Sequence, residues 1–94
     1  MSQYRWLPLR QALVYEDEMA RLGVSKVARS PRGFVAAYKR HGTAAATKKA
    51  PVPGYPGQTW GQRRNAFIGR HLAQYLANPT PCRRLALIAW AYEP

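Results

Sequence analysis

The side chains from which a reaction could be assembled are few and far apart. His41, His71 and Cys82 share no ligand spacing such as C-x₂-C or H-x₃-H, so no metal centre is expected. Nucleophilic catalysis by Cys82 would need a base and an orienting group that no motif here supplies. Glu16, Asp17 and Glu18 are consecutive, and a carboxylate run on one exposed turn does not divide into an acid and a base. Gly54-Tyr55-Pro56-Gly57 lacks the Gly-Lys-Ser/Thr that completes a phosphate-binding loop. The expectation is a non-enzyme with no catalytic residue, no metal and no cofactor.

Arginine is what the sequence has instead. Eleven of the fifteen cations are Arg, against four carboxylates, for a formal charge of +11 in 94 residues. The carboxylates occupy two places, Glu16 to Glu18 and Glu93, so none stands between Met19 and Tyr92 while thirteen Lys and Arg do. Ordinary surfaces interleave both signs, whereas a one-sign field attracts phosphate backbones or anionic membranes. The planar guanidinium matches phosphate with two parallel hydrogen bonds and stacks on bases, which favours nucleic acid over lipid. The candidate contacts are Arg29, Arg32, Lys39, Arg40, Lys48, Lys49, Arg63, Arg70 and Arg83, with Tyr55 as a stacking or groove contact.

These residues must be held by one small domain spanning 1–94, since 94 residues leave room for a single core. With 47% apolar residues the chain can bury surface, and the fold class expected is all-α, three to four short helices. Residues 1–8 form an N-terminal arm. A first helix spans Leu9 to Leu22, with the acidic run mid-helix and Gly23 just past its end. Ser25 reads as the cap of a short turn, and Ser30-Pro31 as the cap and first residue of a helix ending at His41. Residues 43–58, with three prolines and two glycines, read as a Pro-rich basic loop stiffened toward polyproline geometry. Thr59 opens the strongest helix, to Asn78, with Trp60, Phe67, Ile68, His71, Leu72, Tyr75 and Leu76 in one stripe. Arg63 and Arg70 flank that stripe about 10.5 Å apart along the axis, a spacing suited to two phosphates of one backbone. Arg64 lies inside the stripe and requires a buried partner: Glu16, Glu18, Glu93 or the terminal carboxylate.

Thr80-Pro81 restarts the chain, and Cys82 to Tyr92 reads as a last helix, with a short strand over 85–92 as the alternative. It is apolar on two sides, which means a sandwiched helix or a sticky patch; Leu87 and Trp90 are expected to face a protein partner. Met19 to Ser25 resembles the turn of a helix-turn-helix, but Arg29 stands where that motif needs an apolar residue and Pro31 interrupts it. The stretch VSKVARSPRGFVAAYKRHG, followed by RRNAFIGRH and RRLALIAWAYEP, resembles a group of uncharacterised small basic proteins of large DNA viruses infecting algae and protists. That resemblance covers most of residues 24–94 and implies a virion or infected-cell setting, where coating a polyanion is a common task; it brings no residue roles with it.

The expected function is non-catalytic binding of DNA or RNA through phosphates, largely independent of base sequence. The rival expectation is a structural subunit of a virion, capsid or ribosome, docking on other subunits through the Pro-rich strap and the Leu87–Trp90 face. No apolar run is long enough to span a membrane and no secretory leader is recognisable, so an intracellular or intravirion location is expected.

Overall fold

The computed structural model describes residues 4–94. Its helices are α1 (Leu9–Leu13), α2 (Glu16–Leu22), α3 (Phe34–His41), α4 (Ala44–Lys49), α5 (Trp60–Ala77) and α6 (Pro81–Ile88), with no strand among the described residues. The helical class is as expected, but the helices are more numerous and shorter. The helix expected over 9–22 is broken at Val14-Tyr15, which places Glu16, Asp17 and Glu18 in the first turn of α2, where the helix dipole favours acids. The helix expected from Pro31 begins at Phe34, because Gly33 is wedged against the backbone of the 25–29 turn. A Cβ on Gly33 would lie 2.2 Å from the Val27 carbonyl oxygen, so the chain cannot enter a helix until it has cleared that crossing.

The expected loop over 43–58 also differs. Thr43 caps α4 by accepting from the Ala46 N–H at 3.1 Å, so a third of that segment is helix. The remainder, 50–58, is folded on itself instead of extended. Val52-Pro53-Gly54-Tyr55 and Tyr55-Pro56-Gly57-Gln58 are consecutive turns, closed by Tyr55 N–H to the Val52 carbonyl and Gln58 N–H to the Tyr55 carbonyl, both at 3.1 Å. Gly54 and Gly57 have φ of 81° and 80°, and a proline precedes each, the pattern of a type II turn. The Val52 N–H to the Gln58 carbonyl at 2.9 Å and an isolated Pro51–Thr59 bridge tie the two ends together.

The core is a set of aromatic rings gathered where α3, α5 and the end of α6 meet. Phe34 and Phe67 stack on Trp90 from centroid distances of 4.9 and 4.7 Å, and Trp60 approaches Trp90 at 6.2 Å. Leu87 is fully buried and Trp90 only 6% exposed, so neither is the outward-facing interface that the two-sided apolar pattern predicts. The reason is packing between elements, which for Trp90 comes from Phe34 of α3 and from Trp60 and Phe67 of α5. Leu7 N–H donates to the Ala91 carbonyl at 2.7 Å, and Trp6 packs on Phe34 and Tyr38, which closes the N-terminal segment onto the same core.

Arg64 is the pin of that closure. It is fully buried, as its place in the apolar stripe predicts, yet its partners are backbone carbonyls and not carboxylates. Nε donates to Trp90 at 2.7 Å, Nη1 to Tyr4 at 3.0 Å, and Nη2 to Arg5 at 3.0 Å and Ala91 at 2.9 Å. Those carbonyls belong to the arm and to the chain beyond α6, where no helical bond satisfies them. The guanidinium also lies 4.2 Å over the Trp6 ring. Burial lowers its pKa from the usual arginine value to about 10, so it remains a cation at neutral pH. The carboxylates expected to meet it are engaged elsewhere: Glu16 with Lys39 at 3.1 Å, Glu18 with Arg21 at 3.8 Å and Glu93 with Arg84 at 2.9 Å. No helix among the described residues is long and apolar enough to cross a membrane.

Candidate functional site

A cleft of about 730 Å³ opens between α5, the 23–33 segment and the double turn at 52–58. One wall follows from helical periodicity. Arg63, Ala66, Phe67 and Arg70 are spaced i, i+3, i+4 and i+7 on α5 and line the cleft together. Their helix begins in a capping box, with the Thr59 hydroxyl accepting from Gln62 N–H and the Gln62 side chain accepting from Thr59 N–H, which anchors Arg63 one turn into α5.

The second wall is the double turn, which brings Tyr55 and Gln58 to Arg63. The guanidinium sits 4.2 Å over the Tyr55 ring, and its Nη1 donates to Gln58 Oε1 at 2.9 Å. Arg63 is thereby held over an aromatic face, which leaves other N–H groups of the fork to meet an acceptor. The third wall comes from the 23–33 segment and carries Lys26 and Arg32, both exposed, with Val27 78% exposed between them. Ser25, on the same wall, has a φ of 57°, left-handed backbone that a serine seldom adopts. Phe34, Trp60 and Trp90 form the floor.

Four cations, Lys26, Arg32, Arg63 and Arg70, therefore surround a cleft with an aromatic base, and none of its lining residues is a carboxylate. Such a site favours an anion that carries a flat or apolar group. His71 extends the ring stack, its centroid 3.9 Å from that of Phe67, and burial with Arg70 alongside holds its pKa below the usual histidine value.

Of the residues expected to touch nucleic acid, Arg32, Tyr55, Arg63 and Arg70 are brought together here. Lys48 and Lys49 lie exposed at the end of α4, and Arg40 is exposed on the last turn of α3. Three others have partners within the chain. Arg29 Nε donates to the Val24 carbonyl at 2.9 Å, Lys39 pairs with Glu16, and Arg83 Nη1 donates to the Asn78 carbonyl at 2.8 Å, closing the end of α5. Sequence reasoning missed Lys26, Gln58 and the Phe67 wall. The i, i+3, i+4, i+7 set on α5 was visible in the spacing, but the partner walls come from segments remote in the chain. Among the described residues, no three His, Cys, Asp or Glu side chains gather into a set that could hold a metal ion. No protein-family model matches this chain, and neither a curated protein nor a solved structure is similar to it, so its function is read from the cleft and its charges.

Proposed function

We propose that this protein binds nucleic acid without catalysis, holding phosphates through an Arg-rich face that reads little or no base sequence. The observation that carries the reading is the cleft ringed by Lys26, Arg32, Arg63 and Arg70 with no carboxylate among its lining residues. Arg63 and Arg70 stand seven residues apart on α5, about 10.5 Å along the axis, so one helix offers two separate phosphate contacts. Arg40, Lys48 and Lys49 extend the field outside the cleft, where they add attraction without fixed geometry. The setting implied by the resemblance to small viral basic proteins, a virion or an infected cell, belongs to the same proposal. A subunit docking through Leu87 and Trp90 has lost its face, because both are in the core.

The test is a titration of equal-length duplex DNA, single-stranded DNA and RNA across a salt series. Binding that persists near physiological salt, with log affinity falling linearly in log salt, is the expected result. The Arg63→Ala/Arg70→Ala variant should weaken binding uniformly across base sequences and flatten the slope by about two units, one per lost phosphate contact. Unchanged affinity and slope in that variant would remove the cleft from the interface. Binding that disappears by about 150 mM salt, where the Debye length is near 8 Å, would reduce the charge to a generic field.

A further inference from the structure

We infer that the cleft takes an unpaired nucleobase, which makes the preferred ligand a single strand. The inference rests on the nucleic-acid reading above and names the part of the ligand that phosphate contacts leave unaccounted for. A duplex is read by a convex element, a helix or ribbon pushed into a groove, and its bases are stacked out of reach of a concavity. Here the cations surround a hollow. A volume of about 730 Å³ lies within the range of about 300–1,000 Å³ that holds drug-sized molecules, enough for a base with its sugar.

The lining has the chemistry that a base requires. Tyr55 is 51% exposed and carries the Arg63 guanidinium on its ring, so a flat aromatic and cationic pair stands at the rim. Stacking on aromatic and guanidinium planes is how unpaired bases are held, and it tolerates any sequence because every base has a π face. Gln58 uses its Oε1 to accept from Arg63, and its amide N–H groups remain to donate to a base edge. Val27 offers apolar surface from the opposite wall, beside the strained backbone of Ser25. Strain of that kind persists where surrounding structure enforces it and concentrates at ligand sites.

The charges distinguish a strand from a lone nucleotide. Arg63 and Arg70 are about two helical turns apart, and Lys26 and Arg32 face them from another segment, so the cations are spread around the mouth instead of converging on one point. That layout fits the phosphates on both sides of an inserted base.

The experiment compares a single strand, an abasic strand of the same length and a duplex of the same length, at one salt concentration near physiological. Wild type should bind the strand tenfold or more tighter than the abasic strand and the duplex, the effect of one stacked base. Ala66→Trp fills the cleft from the exposed face of α5 without changing charge, and should bring the strand down to the abasic level. Far-UV circular dichroism and a thermal melt check that the variant is folded; if it is not, Val27→Trp fills the cleft from the other wall. Equal binding of the normal and abasic strands would overturn base insertion and leave the phosphate reading standing, as would a duplex bound as tightly as the strand. A filled cleft that costs the strand nothing would likewise place the base elsewhere. Failure of all three ligands to bind would overturn the phosphate reading, and base insertion with it.

Discussion

Arg64 shows how one residue of a strongly basic chain is taken out of the binding inventory and made structural. Its fork meets four carbonyls at once, of which that of Ala91 also accepts from the Leu7 N–H, and lysine, with one ammonium, is therefore a poor replacement. Arg64→Ala should destabilise the fold by about 3–5 kcal/mol, from carbonyls left without donors and the void above Trp6. Arg64→Lys should recover only part of that loss, and urea midpoints of the three proteins would rank them. His71 is a second residue whose state the fold sets. Its pKa is lowered in the folded protein, so the unfolded chain binds the proton more readily. The stability it contributes is therefore complete above about pH 6.5, the unfolded value, and is lost as pH falls through the lower folded value. Melting temperatures measured from pH 7.5 to 5 should decline on the acid side, and His71→Phe, which keeps the stack on Phe67, should flatten the decline.

The elements differ in how much of them local sequence decides. α5 and α6 begin where Thr59 and Thr80 place hydroxyls to cap them, with Gln62 completing one box and Pro81 opening the other helix. Those signals act within four residues, so no tertiary contact is needed to read them. Ser30-Pro31 carries the same kind of signal and opens no helix, because Gly33 must first pass the carbonyls of Val27 and Ala28. α4 was not legible and its residues read as loop; it has a Thr43 cap and an alanine run but, without large apolar residues, no periodic stripe. The element that most directly sets the cleft is this 23–33 wall. Gly33→Ala should cost about 1–3 kcal/mol through overpacking, and should move Lys26 and Arg32 relative to α5. A lowered melting temperature with weakened single-strand affinity is the expected pair of readouts; a variant as stable as wild type would mean that the 25–29 turn shifts freely.

At the scale of the whole molecule, the charge of +11 is confined to a body with a radius of gyration of 12.4 Å, close to the value of about 12–13 Å for a compact chain of this length. Among the described residues, three surface ion pairs offset little of that repulsion. Salt should therefore stabilise this protein: raising NaCl from about 10 mM to about 150 mM shortens the Debye length from about 30 to about 8 Å and should raise the melting temperature. A polyanion at low salt should do the same by binding the folded state, with an increment that disappears as the salt rises. A melting temperature that falls with added salt would mean that the Glu16–Lys39, Glu18–Arg21 and Glu93–Arg84 pairs outweigh the net repulsion.

Sequence by itself determined the quantities that depend on composition and on near neighbours. These are the helical class, the one-sign charge field, the capped starts of α5 and α6, the Arg63–Arg70 flank and the burial of Arg64. Each is set by residues within a few turns of one another, or by a count. Only the tertiary structure decided what Arg64 holds, which side of α6 is covered and which cations share a cleft. Arg64 reaches Tyr4 and Arg5, some sixty positions away, and Trp90 is packed by Phe34 of α3 and by Trp60 and Phe67 of α5. The cleft likewise joins segments 23–33, 52–58 and 63–70, whose meeting comes from chain closure around one aromatic core. Periodicity reports which face of a helix is apolar, but the partner that covers that face is chosen by packing between distant segments.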